Sequence, residues 1–306
     1  MTTLNQPTKK LSPAQIWWMA ARPKTLPAAT VPVIVGTAVA INERAFSLFP
    51  ALAALAGALL IQIGTNFAND VFDYKKGADT AERLGPTRVT QAGLLTPTQV
   101  MWGMVVVFGL AVLVGSYLVL IGGWPIVLIG LFSIASGIAY TGGPFPLGYN
   151  GLGDIFVFVF FGLVAVCGTY YVQAGTVSNT AIWASIPVGM LATAILVVNN
   201  LRDIDTDRKV GKKTLAVRLG ERGVQTEYVI LLTISYAIPV AMWLLNVATP
   251  WILLSWLSLP LTRPLLQLVF RQKGRILNKA LGGTGRLEMV YGILFSLGLI
   301  IGRILA

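Results

Sequence analysis

Apolar runs of about 20 residues, each long enough to cross a bilayer as a helix, recur along this chain. Nine are read, at roughly 25–42, 48–69, 98–119, 123–140, 153–174, 180–200, 226–246, 248–268 and 287–305. Only Asn246 to Pro250 separates the seventh from the eighth, so eight or ten is the alternative count. Gly and Pro punctuate many of the runs, as membrane helices tolerate when neighbouring helices satisfy the backbone. The pattern predicts an all-α membrane protein: nine transmembrane helices in one bundle, a single domain over 21–306 behind a short polar segment at 1–20.

Composition agrees with the pattern. Of 306 residues, 55% are hydrophobic and 11% charged, against about 25% charged in a soluble domain. Met1 to Leu11 is polar, carries Lys9 and Lys10, and reads as a lead-in rather than a signal peptide.

The net charge of +11 would by itself suggest nucleic acid. Its distribution changes that. With nine spans and the N-terminus inside, 21 of the 23 Lys and Arg residues fall on the cytoplasmic side, and only Arg44 and Arg303 on the other. The basicity is therefore a topological signal, with anionic lipid as its partner. No nucleic-acid recognition motif accompanies it, and no obligate protein partner is evident. The expected location is the cytoplasmic (inner) membrane, with the C-terminus on the opposite face.

Candidate chemistry is narrowed by what is missing. Cys167 is the single cysteine and there is no histidine. That excludes a disulfide framework, a histidine base, histidine-bound zinc and axial histidine on haem. A metal here must sit on oxygen, which points to magnesium or a similar hard cation.

Two acidic clusters stand at the cytoplasmic ends of the second and sixth spans. The first runs from Asn66 through Asn69, Asp70 and Asp73 to Gly77 and Asp79. If the helix continues through it, Asn69 and Asp73 are four apart and Asp70 and Asp73 three apart, spacings that share a helical face. The second runs from Asn199 and Asn200 through Arg202, Asp203 and Asp205 to Asp207, with Asn199, Asp203 and Asp207 at successive fourth positions. Stacked carboxylates at a membrane end repel one another more than in water and call for a cation. Magnesium prefers to share its shell with substrate phosphates. Two such ladders facing each other would hold a diphosphate through magnesium, with Lys75, Lys76, Arg88, Arg202, Lys212 and Lys213 close enough to neutralise the phosphate charge. The bland reading is two charged loops paired in solvent. Regular spacing, recurrence four spans apart and position at span ends argue against it. Such a duplication would bring the clusters together across a central cavity.

Between the clusters, Tyr140 to Asp154 forms a Gly/Pro-rich loop without Lys or Arg. It has the length to fold over the cavity. Tyr140 and Tyr149 are candidates to face a cationic intermediate or an aromatic substrate, the alternative being an interfacial aromatic belt. Asp154 reads as a helix N-cap. Arg22 and Lys24 read as headgroup anchors, with a substrate role as the alternative.

These residues resemble the UbiA superfamily of intramembrane aromatic prenyltransferases. The first family motif, Asn-Asp-x-x-Asp, is matched by Asn69, Asp70 and Asp73, and the second by Asp203 and Asp207. The common form has a further Asp four residues after the first motif; this chain has Gly77 there, and Asp79 instead. That departure resembles the menaquinone branch, which prenylates 1,4-dihydroxy-2-naphthoate. So do Gly85-Pro86-Thr87-Arg88 with Gln91, the stretch from Pro146 to Gly153, Thr169 to Gln173, and Asn199-Asn200-x-Arg202-Asp203. The similarity runs from about Ala21 to the end of the chain.

The resemblance implies roles and a reaction. Asp70, Asp73, Asp203 and Asp207 would hold Mg2+. Asn69, Asn200, Arg88, Arg202 and Lys213 would contact a polyprenyl diphosphate, with Asp79 beside them, and Tyr140 and Tyr149 would face the reacting centre. The diphosphate leaves, the allylic cation alkylates the naphthoate ring, and carbon dioxide is lost, giving demethylmenaquinone. The nearest alternative changes the acceptor to 4-hydroxybenzoate, homogentisate, haem or a chlorophyllide. An ion or metabolite transporter is the alternative of another class, opposed by spans nearly free of charge at mid-membrane.

Overall fold

The computed structural model describes residues 11–79 and 83–305. Lys9, Lys10 and half of the expected polar segment therefore lie outside the described residues. Every regular element among those described is helical. In chain order these are α1 (Pro13–Ala21), α2 (Leu26–Asn42), α3 (Leu48–Lys75), α4 (Pro97–Gly122), α5 (Trp124–Ala139), α6 (Gly153–Val157), α7 (Ala165–Ala174), α8 (Asn179–Lys209), α9 (Leu215–Leu244), α10 (Thr262–Arg271) and α11 (Leu277–Leu305). Eight stretches are long and apolar enough to span a membrane, and the 16-residue α5 is a shorter ninth. The protein is an integral, multi-pass membrane protein.

Local chemistry explains the boundaries. Ser12 caps α1 through a reciprocal box with Gln15, at 3.3 Å and 2.9 Å. Arg22 then turns left-handed at φ 54°, and Pro23 opens a short 3-10 turn into α2. A residue before proline is driven away from α geometry, so the chain breaks here. α6 and α7 are joined by a π-helical stretch, Phe158–Val164. Within it, a methyl group at Gly162 would lie 2.8 Å from the Gly189 Cα, so only glycine permits this approach to α8. Pro250–Leu261 winds as a 3-10 helix and leads into α10.

α3 has 28 residues and α8 has 31. At 1.5 Å per residue they run about 42 Å and 46 Å, against a hydrocarbon core of about 30 Å. α8 therefore carries its whole acidic cluster beyond the apolar zone, and α3 carries Asn69, Asp70 and Asp73 before ending at Lys75, ahead of Gly77 and Asp79. The main apolar core gathers Val31 of α2, Leu191 of α8, Tyr228 of α9, and Tyr291 and Phe295 of α11. Its buried hydroxyls are satisfied internally: Tyr291 donates to the Ser235 carbonyl at 2.7 Å, and Tyr228 pairs with Thr284 at 2.9 Å.

Candidate active site

Two cavities meet inside the bundle. The larger, about 830 Å³, is walled by apolar side chains from α2, α3, α4, α5 and the Gly153–Ala174 span. The smaller, about 260 Å³, is lined by Asn69, Asp73, Arg88, Asn199, Asn200, Asp203, Asp207 and Lys212, among others. Gln62, Thr65, Tyr140, Val157 and Phe161 line both, and so form the passage between them. An anionic head and a long apolar tail find matching surroundings at the two ends of one continuous space.

Asp73 is the hub of the first cluster. Arg88 Nη2 donates to its Oδ2 at 2.5 Å, and the Tyr149 hydroxyl donates to its Oδ1 at 2.7 Å. Arg88 also reaches Asp79, Nε to Oδ2 at 3.2 Å, and Arg83 Nη1 holds the other Asp79 oxygen at 2.6 Å. Burial pushes the Asp79 carboxyl above its ordinary value, against the pull of both guanidinium groups. Burial also raises the Tyr149 hydroxyl, reinforced by Asp73 beside it, so this phenol stays a donor.

Asp70 is placed differently. It is buried and does not line the polar cavity. Its two oxygens accept the backbone N–H groups of Val89 and Thr90, each at 3.2 Å. It thus anchors the loop that carries Arg88. Asn69 does face the cavity, and its Oδ1 accepts from the Thr141 hydroxyl at 2.9 Å.

In the second cluster Arg202 grips Asp203 bidentately, at 2.8 Å and 2.5 Å. Its remaining donors reach Asn199 and Asn278, both at 2.8 Å. Asn278 in turn donates to the Leu84 carbonyl at 2.8 Å. Arg202 is buried and ties α8, α11 and the loop after α3 together, rather than pointing into the cavity.

One lysine joins the clusters. Lys212 Nζ lies 3.5 Å from Asp73 Oδ1 and 3.8 Å from Asp207 Oδ1. It also stands 4.5 Å from the Tyr149 ring centroid, with Lys76 at 5.0 Å. Lys213, the neighbour singled out from the sequence, is exposed and contributes its backbone N–H to the Tyr149 carbonyl at 2.8 Å. The Gly/Pro-rich loop does close over the cavity, held by Lys76 on the Thr141 carbonyl at 2.7 Å and Arg218 on the Asn150 carbonyl at 2.9 Å.

Tyr140 stands at the passage, wedged between two glycines. A methyl group on Gly153 would lie 2.9 Å from its hydroxyl, and one on Gly148 would lie 2.9 Å from its ring. Arg22 also lines the polar cavity, with a buried Nη2 that has no hydrogen-bond partner among the described residues. This position agrees with the alternative, substrate-facing reading of Arg22 rather than with a headgroup anchor.

Among the described residues, no three carboxylate, histidine or cysteine side chains stand close enough to hold an ion alone. The donors that do face the cavity are all hard oxygens, and an ammonium already sits between two of them. Such a set fits magnesium that completes its shell with phosphate oxygens.

The model of the UbiA prenyltransferase family matches residues 29–278. The chain belongs to the UbiA prenyltransferase family. It is similar to the 1,4-dihydroxy-2-naphthoate octaprenyltransferase of Haemophilus influenzae, 38% identical with 94% of this chain and 96% of that protein covered. The enzyme of the same name from Bacillus subtilis is 35% identical, with 96% and 94% covered. A solved UbiA homologue from Archaeoglobus fulgidus, bound to DMAPP and Mg2+, shares the fold with a TM-score of 0.63 at 17% identity, covering 92% of this chain and 99% of that one. The matched region includes the acidic clusters at the ends of both α3 and α8.

Proposed function

We propose that this prenyltransferase moves a polyprenyl group from polyprenyl diphosphate to 1,4-dihydroxy-2-naphthoate, releasing diphosphate and carbon dioxide and yielding demethylmenaquinol, the reduced form of demethylmenaquinone. The observation that carries the reading is the joined pair of cavities, with Asp73 and Asp207 at the polar end and about 830 Å³ of apolar space at the other. The naphthoate acceptor is supported by the relatives of that name and by the Gly77 and Asp79 departure from the common family motif.

Asp73, Asp203 and Asp207 are the carboxylates proposed to hold Mg2+ with the diphosphate. Bound there, the metal supplies Lewis-acid neutralisation of the leaving group. Lys212 and Arg88 add positive charge beside it, and Asn69 and Asn200 offer amide donors. Tyr149, protonated, donates toward the same region. As the C–O bond breaks, the allylic cation is left at the passage, where the Tyr140 ring offers a π face. The naphthoate carbon bearing the carboxylate attacks it; the new C–C bond forms and the carboxylate leaves as carbon dioxide, restoring the aromatic ring. The apolar walls exclude water that would otherwise quench the cation. Asp70 and Arg202 are given positioning roles, for the Arg88 loop and for Asp203. The membrane is proposed to be the cytoplasmic one, with both clusters on its inner face.

The test is an acceptor panel with purified protein, Mg2+ and prenyl diphosphates of several lengths, read by mass spectrometry. Prenylated, decarboxylated naphthoquinol is the expected product. Prenylated 4-hydroxybenzoate or homogentisate in its place would overturn the acceptor assignment, and solute uptake without any product would favour a transporter.

A further inference from the structure

α8 ends in a Schellman turn. Gly211 takes φ +75°, its N–H donates to the Arg208 carbonyl at 3.3 Å, and the Lys212 N–H donates to the Asp207 carbonyl at 2.9 Å. This turn folds the chain back over the helix end, so the residue after the glycine lies beside Asp207. Its ammonium consequently meets Asp207 from α8 and Asp73 from α3 together. Tyr149 completes the seat. Its ring stands 4.5 Å from the ammonium, and its hydroxyl bonds the same Asp73 oxygen that Lys212 approaches.

Two facing carboxylates repel unless a cation lies between them. Lys212 is that cation in the structure. It contacts one oxygen of each of the two carboxylates proposed above to hold Mg2+, and an ammonium and a metal ion cannot both lie between those oxygens at once. The Lys212 side chain is not sealed in, being 15% exposed, and lies at the end of a flexible stem.

We propose that Lys212 is a displaceable internal cation, which keeps divalent metal from the free enzyme and yields its place only when a diphosphate arrives. The diphosphate both brings the metal and offers the ammonium a new anionic partner. This inference rests on the reading of Asp73 and Asp207 as metal-holding carboxylates. It makes metal and diphosphate binding cooperative, and each must raise the affinity for the other by the same factor.

The test uses Mn2+ as a paramagnetic probe, titrated into the purified full-length protein with and without inorganic diphosphate. Free Mn2+ is read by electron paramagnetic resonance. Lys212→Met should bind Mn2+ alone about tenfold more tightly than the wild type, the worth of one nearby like charge, and should gain less from diphosphate. Lys212→Arg keeps the charge and should stay near the wild type. Tyr149→Leu, which leaves Lys212 in place but removes the ring beside it, should tighten Mn2+ in the same direction. Unchanged Mn2+ affinity in folded Lys212→Met, or in Tyr149→Leu should Lys212→Met not fold, overturns the inference. Asp207→Asn separates this from the site reading: if it keeps full Mn2+ affinity with diphosphate present, the metal assignment itself fails, whatever Lys212 does.

Discussion

Arg88 Nη2 meets Asp73 Oδ2 at 2.5 Å while its Nε reaches Asp79 at 3.2 Å, so one guanidinium serves two buried carboxylates. Removing one partner of a buried ion pair costs about 3–5 kcal/mol. Arg88→Met should therefore lower the thermal unfolding midpoint in detergent, and adding Asp79→Asn should recover part of that loss. Equal midpoints for the two variants would contradict the shared role.

Asp70 and Asp73 are neighbours in one motif with different surroundings, a backbone anchor for the first and the cavity wall for the second. Asp70→Asn replaces an acceptor oxygen with an amide donor facing a backbone N–H of Val89 or Thr90. An unsatisfied buried group costs about 1–3 kcal/mol. Asp70→Asn should lose stability and turnover yet retain Mn2+ binding in the presence of diphosphate. Asp73→Asn should lose that binding, and should also lower the unfolding temperature because Arg88 keeps only Asp79 as an ionised partner.

Gly153 bears on Tyr140 through space. The methyl group of Gly153→Ala would sit 2.9 Å from the Tyr140 hydroxyl, so the ring must shift. Misplacing a group by about 1 Å at a reacting centre costs up to about a hundredfold in rate. kcat should fall by that order with diphosphate-dependent Mn2+ binding unchanged. Unaltered kcat would remove Tyr140 from the chemistry.

Gly130 lines the apolar cavity and has open space where a side chain would begin. Gly130→Leu should fill part of that space and shift the accepted prenyl diphosphates toward shorter chains. Competition between prenyl diphosphates of mixed length, read by mass spectrometry, checks this. An unchanged product distribution would place the tail elsewhere.

Much of the fold was legible because lipid makes hydropathy decisive. Eight of the nine apolar runs correspond to helices long enough to span and the run at 123–140 to the shorter α5, while α3 continues through Asp73 and α8 through Asp207 as the spacing predicts. Side-chain direction was less legible. Residues three apart on a helix differ by about 60° around its axis, enough to put Asp73 on the cavity wall and Asp70 against the loop after α3. Lys213 is the candidate from the sequence and Lys212 the residue that lines the cavity, because charge counting ignores turn geometry. Gly211 was the available signal, since a glycine just past a helix end directs the next residue back over the last turn. The Gly162 approach to Gly189 and the π-helical stretch beside it depend on packing between distant segments, and no local pattern announces them.

The central claim is that a diphosphate bound between Asp73 and Asp207 is exchanged for a naphthoate ring with loss of its carboxylate. The most direct test supplies 1,4-dihydroxy-2-naphthoate labelled in the carboxyl group, a polyprenyl diphosphate and Mg2+ to the purified protein, and counts labelled carbon dioxide against prenylated product. One carbon dioxide per prenyl group transferred is expected, with both lost on chelation and in Asp73→Ala and Asp207→Ala. Prenylated product that retains the label, or wild-type turnover in a folded Asp73→Ala/Asp207→Ala protein, would contradict it.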